Sequence, residues 1–317
     1  MNNGELLFIK SVKDGIPNRD PLNDSDARRL FPEEDGRISL SDVSIKRDAR
    51  DFVISLYPEG GEEQRNYVFV QAVENDKGKL LGRKSLAEAI AEKVGKKSEA
   101  KNNMKDVLLD HAFDVRTFGI VYSEKPKFNL TGPVQFSWAH SMHPVDTQYI
   151  QGTVTMPSKD ATESGEGNTQ GTIWTSYTLP FAVFAMPGII NASSAKHTRM
   201  TEEDQELLLK SLWQGTRNRH ARGRGQQEPL FLMHVEYNDP FFRIGFLDEM
   251  VKLLPEAEAW RQSDQTPSKL SDITMDVTEL ANTLNKYKDK IKHCRIWKHS
   301  LLATRGEINQ YLEENSW

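Results

Sequence analysis

Two segments with the composition of β-strands carry polar side chains that a buried strand does not need. In residues 115–122, V-R-T-F-G-I-V-Y, Arg116 lies between apolar neighbours. Residues 134–141 alternate between apolar and polar types, and their polar side chains are Gln135, Ser137, His140 and Ser141. Amide, hydroxyl and imidazole groups could read a hydrogen-bonding ligand along a strand, whereas a solvated antiparallel strand has the same alternation. Periodicity alone favours the solvated strand.

A second group of candidate binding residues lies where a helix is expected to begin, near Ser41. Lys46 and Arg50 are four residues apart, so they share one helix face, and Arg47 is adjacent. Acidic residues on the same helix would form ordinary salt bridges with them, and the sequence alone favours that interpretation. The helix N-terminus also offers backbone N–H groups that bind phosphate.

Four arginines lie within eight residues with no acidic residue between them: Arg217, Arg219, Arg222 and Arg224. Glycines at 223 and 225 interrupt them, which indicates a flexible cationic loop. Guanidinium groups match the geometry of phosphate better than ammonium groups do. The loop is therefore a candidate phosphate-binding site.

The distribution of charge is compatible with nucleic-acid binding although the net charge is −5. A simple phosphate-neutralising protein would carry excess cations. Here cations and acids are segregated, so a basic groove could lie on an acidic body. The basic segments are residues 77–105, 217–224 and 286–305, and the acidic segments are residues 20–35, 59–63 and 248–264.

Patterns for catalysis and metal binding are weak. Among eight histidines, His140 and His143 are the close pair, and on a strand their spacing places the rings on opposite faces. The sequence has no phosphate-binding P-loop and no G-x-S-x-G nucleophile motif. We therefore predict no catalytic residue, no metal site and no cofactor.

The single cysteine, Cys294, excludes an intrachain disulfide and is typical of a protein from the reducing cytoplasm. Residues 1–5 lack the basic start and apolar core of a signal peptide. The longest apolar run, residues 179–190, is interrupted by two prolines and is too short to cross a bilayer. We therefore expect a soluble cytoplasmic protein with no membrane contact.

Strands and helices interleave along the chain without internal repeats. Besides the two segments above, we predict strands at residues 5–12, 66–73, 149–156, 172–185 and 229–237, and helices at residues 41–57, 84–95, 103–111, 201–213 and 277–291. Thr201 and Asp204 should form a capping pair at the start of their helix. Strands joined by hairpins rather than by regular βαβ units indicate an α+β fold with an antiparallel sheet.

Residues 114–145 resemble a known protein family. Their pattern, D-x-R-x-F-G followed by L-T-G-P-V-Q-F-x-W-x-x-S-x-H-P-V, is similar to that of the backbone subunit of type I CRISPR Cascade complexes. This is the Cas-seven family of the RAMP superfamily, and types I-B and I-C are the most similar. Three further segments resemble the family in the same order: P-N-R-D-P at residues 17–21, S-D-V-S-I-K-R-D-A-R at residues 41–50, and T-E-E-D, L-W and V-E-Y within residues 201–237.

The sequence departs from the family motifs at two places. Arg19 replaces the glycine of the P-N-G-D-P loop, so the tight turn that glycine would permit is in question. Arg222-Gly223-Arg224 stands where the family has R-S-K, which keeps two cations but loses the hydroxyl between them. Residues after about 255 match no motif of the family.

The resemblance implies a ferredoxin-like core of the RRM and RAMP type, in one elaborated domain over residues 1–317. It also implies a finger-like helical insertion at residues 59–112 and a thumb-like hairpin insertion at residues 146–178. In the family, the thumb folds over the guide RNA of the next subunit and pries bases apart. The side chains here most able to wedge against a base are Met156, Pro157 and Trp174.

The resemblance implies a non-catalytic subunit that binds CRISPR RNA, polymerises along the spacer and presents it to target DNA for pairing. Its partners would be copies of itself, the large subunit, a Cas-five-type cap and the processing nuclease. The expected RNA-binding residues are Ser41, Lys46, Arg47, Arg50, Arg116, Gln135, Ser137, His140, Ser141, Arg217, Arg219, Arg222 and Arg224. Two alternatives stay open: a metal-independent RAMP endoribonuclease with His140 or His220 as general base, and a generic RNA-binding oligomer.

Overall fold

The strand β1 (Gly4–Gly15) is apolar on both faces, which is why it lies in the middle of a sheet. Leu6 and Phe8 are buried on one face, and Leu7 and Ile9 are buried on the other. The computed structural model describes residues 1–23, 26–30, 36–155, 172–261 and 266–313.

The other strands and the helices are named in chain order. The remaining strands are β2 (Ser39–Leu40), β3 (Gly119–Tyr122), β4 (Phe128–Thr131), β5 (Val134–Phe136), β6 (Ala139–Ser141), β7 (Gln148–Val154), β8 (Thr172–Ile190), β9 (Gln226–Tyr237), β10 (Lys252–Leu254), β11 (Thr274–Asp276), β12 (Ile291–Lys298) and β13 (Ala303–Arg305). The helices are α1 (Asp42–Leu56), α2 (Arg83–Lys93), α3 (Lys97–His111), α4 (Phe113–Phe118), α5 (Ala192–Thr198), α6 (Glu202–Asn218) and α7 (Thr278–Lys286).

The main sheet is antiparallel, with strand order β12-β9-β1-β8-β6-β2, and β5 and β7 also pair with β8. The chain passes through β1, α1, β6, β8, α6 and β9 in that order, and α1 packs against α6 over one face of the sheet. The other face is covered by α7 and by a small sheet of β10, β11 and β13. The predicted α+β fold with an antiparallel sheet is confirmed.

The residues between α1 and β5 include a packing unit with its own apolar core. In this unit, α2 packs against α3, and the hairpin of β3 and β4 packs on the same core. Tyr122 of β3 is buried there and stacks on Phe128 of β4, with ring centroids 5.0 Å apart. The unit therefore extends beyond residue 112, where the helical insertion was predicted to end.

The prediction of a strand at residues 66–73 is wrong. Backbone N–H groups of this segment are bound by the carboxylate of Asp114 and not by a neighbouring strand. Phe69 and Val70 donate their backbone N–H groups to Asp114, at 2.8 Å and 3.0 Å. In this described segment, Tyr67 makes an isolated bridge to Ala112 and no strand forms.

The segment around Arg116 is a helix, which corrects the predicted strand over residues 115–122. Residues up to Phe118 form α4, and Gly119 begins β3 with a φ of +80°. A side chain at this glycine would collide with the chain, since a Cβ would lie 2.2 Å from the backbone oxygen of Leu130. The second predicted strand segment is also divided, into β5 and β6, by residues 137–138.

The long strand β8 continues from the main sheet into a hairpin. Its C-terminal part pairs with β1 as far as Leu179, which lies opposite Gly15. Its N-terminal part pairs with β7, from Thr178 opposite Gln148 onward. The β-hairpin predicted from the sequence is thus present at its base, whereas residues 156–171, including Met156 and Pro157, lie outside the described residues.

The start of α6 has the predicted capping pair. Asp204 donates its N–H to the Thr201 hydroxyl at 3.3 Å, and its carboxylate accepts the Thr201 N–H at 3.0 Å. The helix continues to Asn218, beyond its predicted end at Trp213. The predicted helix at residues 277–291 is shorter than expected, because the chain leaves α7 to form β12 at the edge of the main sheet.

Two buried histidines make the stability of this fold sensitive to acid. His143 accepts the N–H of Val183 at Nε2, 3.1 Å away, and donates from Nδ1 to the Pro144 oxygen at 2.9 Å, so it is bound in its neutral form. Burial lowers the pKa of His143 to about 4 and that of His234, on β9, to about 4 as well.

Below pH 6.5, the unfolded chain binds protons at these two positions, whereas the folded protein does not until about pH 4. The free energy of unfolding should therefore fall as the pH drops from 6.5 to 4, by about 1.4 kcal/mol per pH unit for each histidine. Urea unfolding at pH 7, 6 and 5 measures this slope in a range where most carboxylates stay ionised. A free energy that does not change between pH 7 and pH 5 would contradict the prediction.

Candidate nucleic-acid interface

A cleft of about 560 Å³, called here the first cleft, lies between the start of α1, the loop after β1 and the loop after α6. Five of the predicted RNA-binding residues line it: Ser41, Arg47, Arg50, Arg219 and Arg224. Its floor and rim also include aliphatic side chains, of which Val43, Val70 and Leu80 are exposed. The structure thus brings together cations from two segments that are about 170 residues apart in the sequence.

A buried carboxylate holds two of these arginines in place. Asp48 lies on the core side of α1 and is fully buried. It accepts hydrogen bonds from Arg219 Nη1 at 2.6 Å and from Arg224 Nη2 at 3.1 Å. It also pairs with Lys10 of β1, whose Nζ is 3.2 Å away and donates to Gln227 Oε1 at 2.8 Å. Asp48 therefore joins the sheet to the cationic lining of the cleft.

The charges around Asp48 are unbalanced in favour of cations. Burial lowers the pKa of Lys10, and although Asp48 opposes this shift, the neighbouring Arg224 adds to it. Burial likewise lowers the pKa of Arg224. Among the described residues, two carboxylates, Asp48 and Asp51, pair with four cations, Lys10, Arg47, Arg219 and Arg224, so an incoming anion would relieve the repulsion between the cations.

The helix start in the first cleft suits an anion for a second reason. Ser41 precedes α1, but its hydroxyl donates to Asn18 Oδ1 at 2.9 Å instead of capping the helix. The N–H groups of the first turn therefore have no side-chain cap, and they form the positive end of the helix dipole. Arg47, in the second turn, is half exposed and is held by both oxygens of Asp51.

A second cleft, of about 450 Å³, lies between the base of the β7–β8 hairpin and the loop after α6 that carries Arg222. Arg222 lies over the ring of Trp174, 4.9 Å from its centroid. The cross-strand neighbour of Trp174 is Gly152, where a Cβ would lie 2.5 Å from the indole, so glycine leaves room for the ring. Arg19 lines this cleft as well as the first one.

Arg116 does not line either cleft, which corrects its prediction as an RNA contact. Its side chain is completely buried, and its guanidinium binds both oxygens of Asp204, at 2.8 Å and 2.6 Å. It also donates to the backbone oxygen of Leu109 at 3.2 Å. Because its side chain is not exposed, Arg116 cannot bind a ligand at the surface. It instead joins the helical unit to the start of α6.

The polar side chains of β5 and β6 also lie away from the two clefts. Ser141 is fully buried, and its hydroxyl donates to the His143 oxygen at 2.7 Å, so it is not available to a ligand. Gln135 donates to the Gly132 oxygen at 3.0 Å. His140 lies 3.1 Å from the Ser39 hydroxyl and lines a different cleft. Ser137, the fourth polar residue predicted in this segment, lies between β5 and β6 and is exposed.

Two further predicted cations are bound to acids near the interface. Lys46 pairs with Asp42 at 2.8 Å, the ordinary helix salt bridge that the sequence favoured. Arg217 pairs with Glu228 at 3.1 Å.

Sequence reasoning missed Asp48, Lys10 and Arg19. One signal for Lys10 is present in the sequence, since a lysine inside an apolar strand requires a buried partner. Nothing in the spacing identifies that partner as Asp48, because the contact exists only after α1 packs on the sheet.

Among the described residues, no group of three or more His, Cys, Asp or Glu side chains could hold a metal ion. In the same part of the chain, no helix has the length and apolar composition needed to span a membrane.

Comparison with known proteins was made for the whole chain. Residues 2–278 match the family described as CRISPR-associated protein Cas7. A Haloferax volcanii protein named CRISPR-associated protein Cas7 is 27% identical over 312 residues, covering 92% of this chain and 85% of that protein.

Two solved structures have a similar fold. A chain of a CRISPR RNA-guided surveillance complex, pre-nicking, aligns with a TM-score of 0.52 and 13% identity, covering 96% of each chain. A chain of a CRISPR RNA-guided surveillance complex aligns with a TM-score of 0.51 and 12% identity, covering 98% of this chain and 96% of that one. Since the family match spans most of its length, the chain belongs to the CRISPR-associated Cas7 family.

Proposed function

We propose that this protein is a guide-RNA-binding backbone subunit of a type I Cascade complex, of the I-B or I-C kind. It would polymerise along the spacer of a CRISPR RNA and present the spacer to target DNA for pairing. The observation that carries the proposal is the first cleft, in which arginines from two motif-bearing segments surround an uncapped helix start. Such groups bind the phosphate backbone and make no sequence-specific contact with the bases. A subunit that must bind guide RNAs with any spacer sequence requires this kind of contact.

The ferredoxin-like core of the RRM and RAMP type is supported by the order of the elements. The path β1-α1-β6-β8-α6-β9 has the strand–helix–strand–strand–helix–strand pattern of that fold, with two helices on one face. We assign the finger to the unit that begins within residues 59–112 and continues through β4. We assign the thumb to residues 146–178, with Trp174 as a base-wedging side chain together with Met156 and Pro157 at the tip.

The partners follow from this role. They are CRISPR RNA, target DNA through guide pairing, further copies of the chain, and the large subunit, the Cas-five-type cap and the processing nuclease of the complex. A cytoplasmic location fits the same role.

The protein is a binding scaffold rather than a ribonuclease. Among the described residues no histidine lines either cleft, and His220, which lies between Arg219 and Arg222 in the sequence, is exposed. Incubation of a repeat-containing RNA with the protein should leave it intact. A specific product that disappears in His140→Ala or His220→Ala would instead support the endoribonuclease alternative.

Affinity for RNA should depend little on sequence. Because the cleft offers backbone contacts, three unrelated single-stranded RNAs of equal length should bind within about threefold of one another, and each phosphate contact should contribute about 0.7 to the salt slope. Fluorescence anisotropy over a salt series measures both quantities.

Two outcomes would count against this function. The first is a strong preference for one spacer sequence over RNAs of the same length. The second is co-purified RNA of heterogeneous origin, which would favour the generic RNA-binding oligomer, whereas a Cascade subunit should carry RNA with one repeat-derived sequence.

A further inference from the structure

Arg19 occupies a distinctive place on the surface, because it is the residue common to the linings described for the first and second clefts. Its side chain is exposed, and its backbone is fixed by an antiparallel bridge to Ala27. The guanidinium makes one long hydrogen bond, from Nη2 to the Arg222 oxygen at 3.4 Å. The position of Arg19 is therefore set by the fold, while most of its five donors are not used by this bond.

The neighbouring arginines are engaged more fully. Arg47 is bound by Asp51, and Arg219 and Arg224 are bound by Asp48. Arg222 lies over the Trp174 ring. Among the residues that the structure describes, no carboxylate lies within salt-bridge distance of Arg19, so none of these carboxylates neutralises its charge.

Gly223 provides the space in which the Arg19 guanidinium lies. A Cβ at this position would be 1.8 Å from Arg19 Nη2, so a side chain there would move the guanidinium, and the φ of +77° at Gly223 also strains any residue other than glycine. The same loop is attached to the chain before Arg19, since Ile16 donates its N–H to the Gly223 oxygen at 2.8 Å.

We propose that Arg19 binds a backbone phosphate of single-stranded RNA where the strand passes from the first cleft to the second, and that Gly223 positions it. This inference rests on the proposed function. The exposed fork provides the bidentate geometry that phosphate requires.

A double-mutant cycle tests both residues. Arg19→Ala should weaken binding of a single-stranded RNA about tenfold and reduce the log–log salt slope by about 0.7, the value for one phosphate contact. Gly223→Ala should weaken binding severalfold in the parent protein, because the new methyl group displaces the guanidinium. In the Arg19→Ala background the same change should cause little further loss.

Arg243→Ala is the matched control, since Arg243 is also exposed but lines neither cleft. It should leave the affinity and the salt slope unchanged. Thermal melting checks that both variants are folded, since Gly223→Ala places alanine at a φ of +77° and Arg19→Ala loses the bond to the Arg222 oxygen.

Unchanged RNA affinity in Arg19→Ala, or independent losses for Arg19→Ala and Gly223→Ala, would overturn the inference while leaving the proposed function in place. A parent protein that binds no RNA would overturn both. The two failures are therefore distinguishable in one set of titrations.

Discussion

Asp48→Ala is expected to lower the free energy of unfolding by about 3–5 kcal/mol, because it leaves the buried Lys10 without its charged partner. The same change removes the carboxylate that holds Arg219 and Arg224 in the first cleft. RNA affinity should therefore fall at least tenfold even at temperatures where the variant stays folded. Urea unfolding and RNA titration measure the two effects separately.

Two further variants separate stability from binding at this site. Lys10→Met combined with Asp48→Ala removes the buried Lys10–Asp48 pair, so the part of the lost stability that is due to an unpaired Lys10 should return. RNA binding should stay weak, because Arg219 and Arg224 are still released. Asp42→Ala is the matched control on the same helix. Asp42 itself is about one-third exposed, so solvent screens its ion pair with Lys46, and the loss of the carboxylate should cost about 1 kcal/mol. A stable Asp48→Ala protein with full RNA affinity would contradict the proposed role of Asp48.

Arg116→Ala should also cost about 3–5 kcal/mol of unfolding free energy, although Arg116 is remote from both clefts. The change leaves the carboxylate of Asp204 buried without its guanidinium, and it exposes the Leu109 oxygen to an empty space. The lost contact joins α4 to α6, so proteolysis within the helical unit should accelerate as well. Chemical denaturation followed by limited proteolysis tests this expectation.

Arg199→Ala provides a control for Arg116→Ala in the same region. Arg199 also makes two ion pairs, to Asp106 at 2.5 Å and Asp110 at 2.6 Å, but all three side chains are about half exposed. Solvent screens such pairs, so their loss should cost no more than about 1 kcal/mol. Equal effects of the two substitutions would mean that burial does not determine the strength of the Arg116 contact.

The elements that could be predicted are those whose signal is local. The apolar run of β1, the amphipathic pattern of α1 and the capping box of α6 each lie within a few consecutive residues. In contrast, V-R-T-F has strand-forming composition yet forms α4, because tertiary contacts override propensity there. Asp114 bonds two N–H groups of a distant segment and also Arg50, at 2.9 Å, and no spacing along the sequence indicates these partners.

The same distinction applies to the candidate interface. Residue type was sufficient to single out the arginines, because guanidinium groups clustered without acids suit phosphate. It was not sufficient to separate Arg224, in the first cleft, from Arg116, in the core. The packing of the helices on the sheet determines whether an arginine lines a cleft, as Arg224 does, or is enclosed in the core, as Arg116 is.

The strand β8 belongs both to the main sheet and to the hairpin, and this sharing limits how the chain can vary in length. Side chains alternate between the two faces of a strand, so the register held by β1 determines which face of the hairpin Trp174 occupies. A one-residue insertion near Leu179 would turn Trp174 away from Arg222, whereas a two-residue insertion would restore its side. The base of the hairpin, from Val154 and Thr172 to the main sheet, thus keeps the side of Trp174 only when its length changes in even steps.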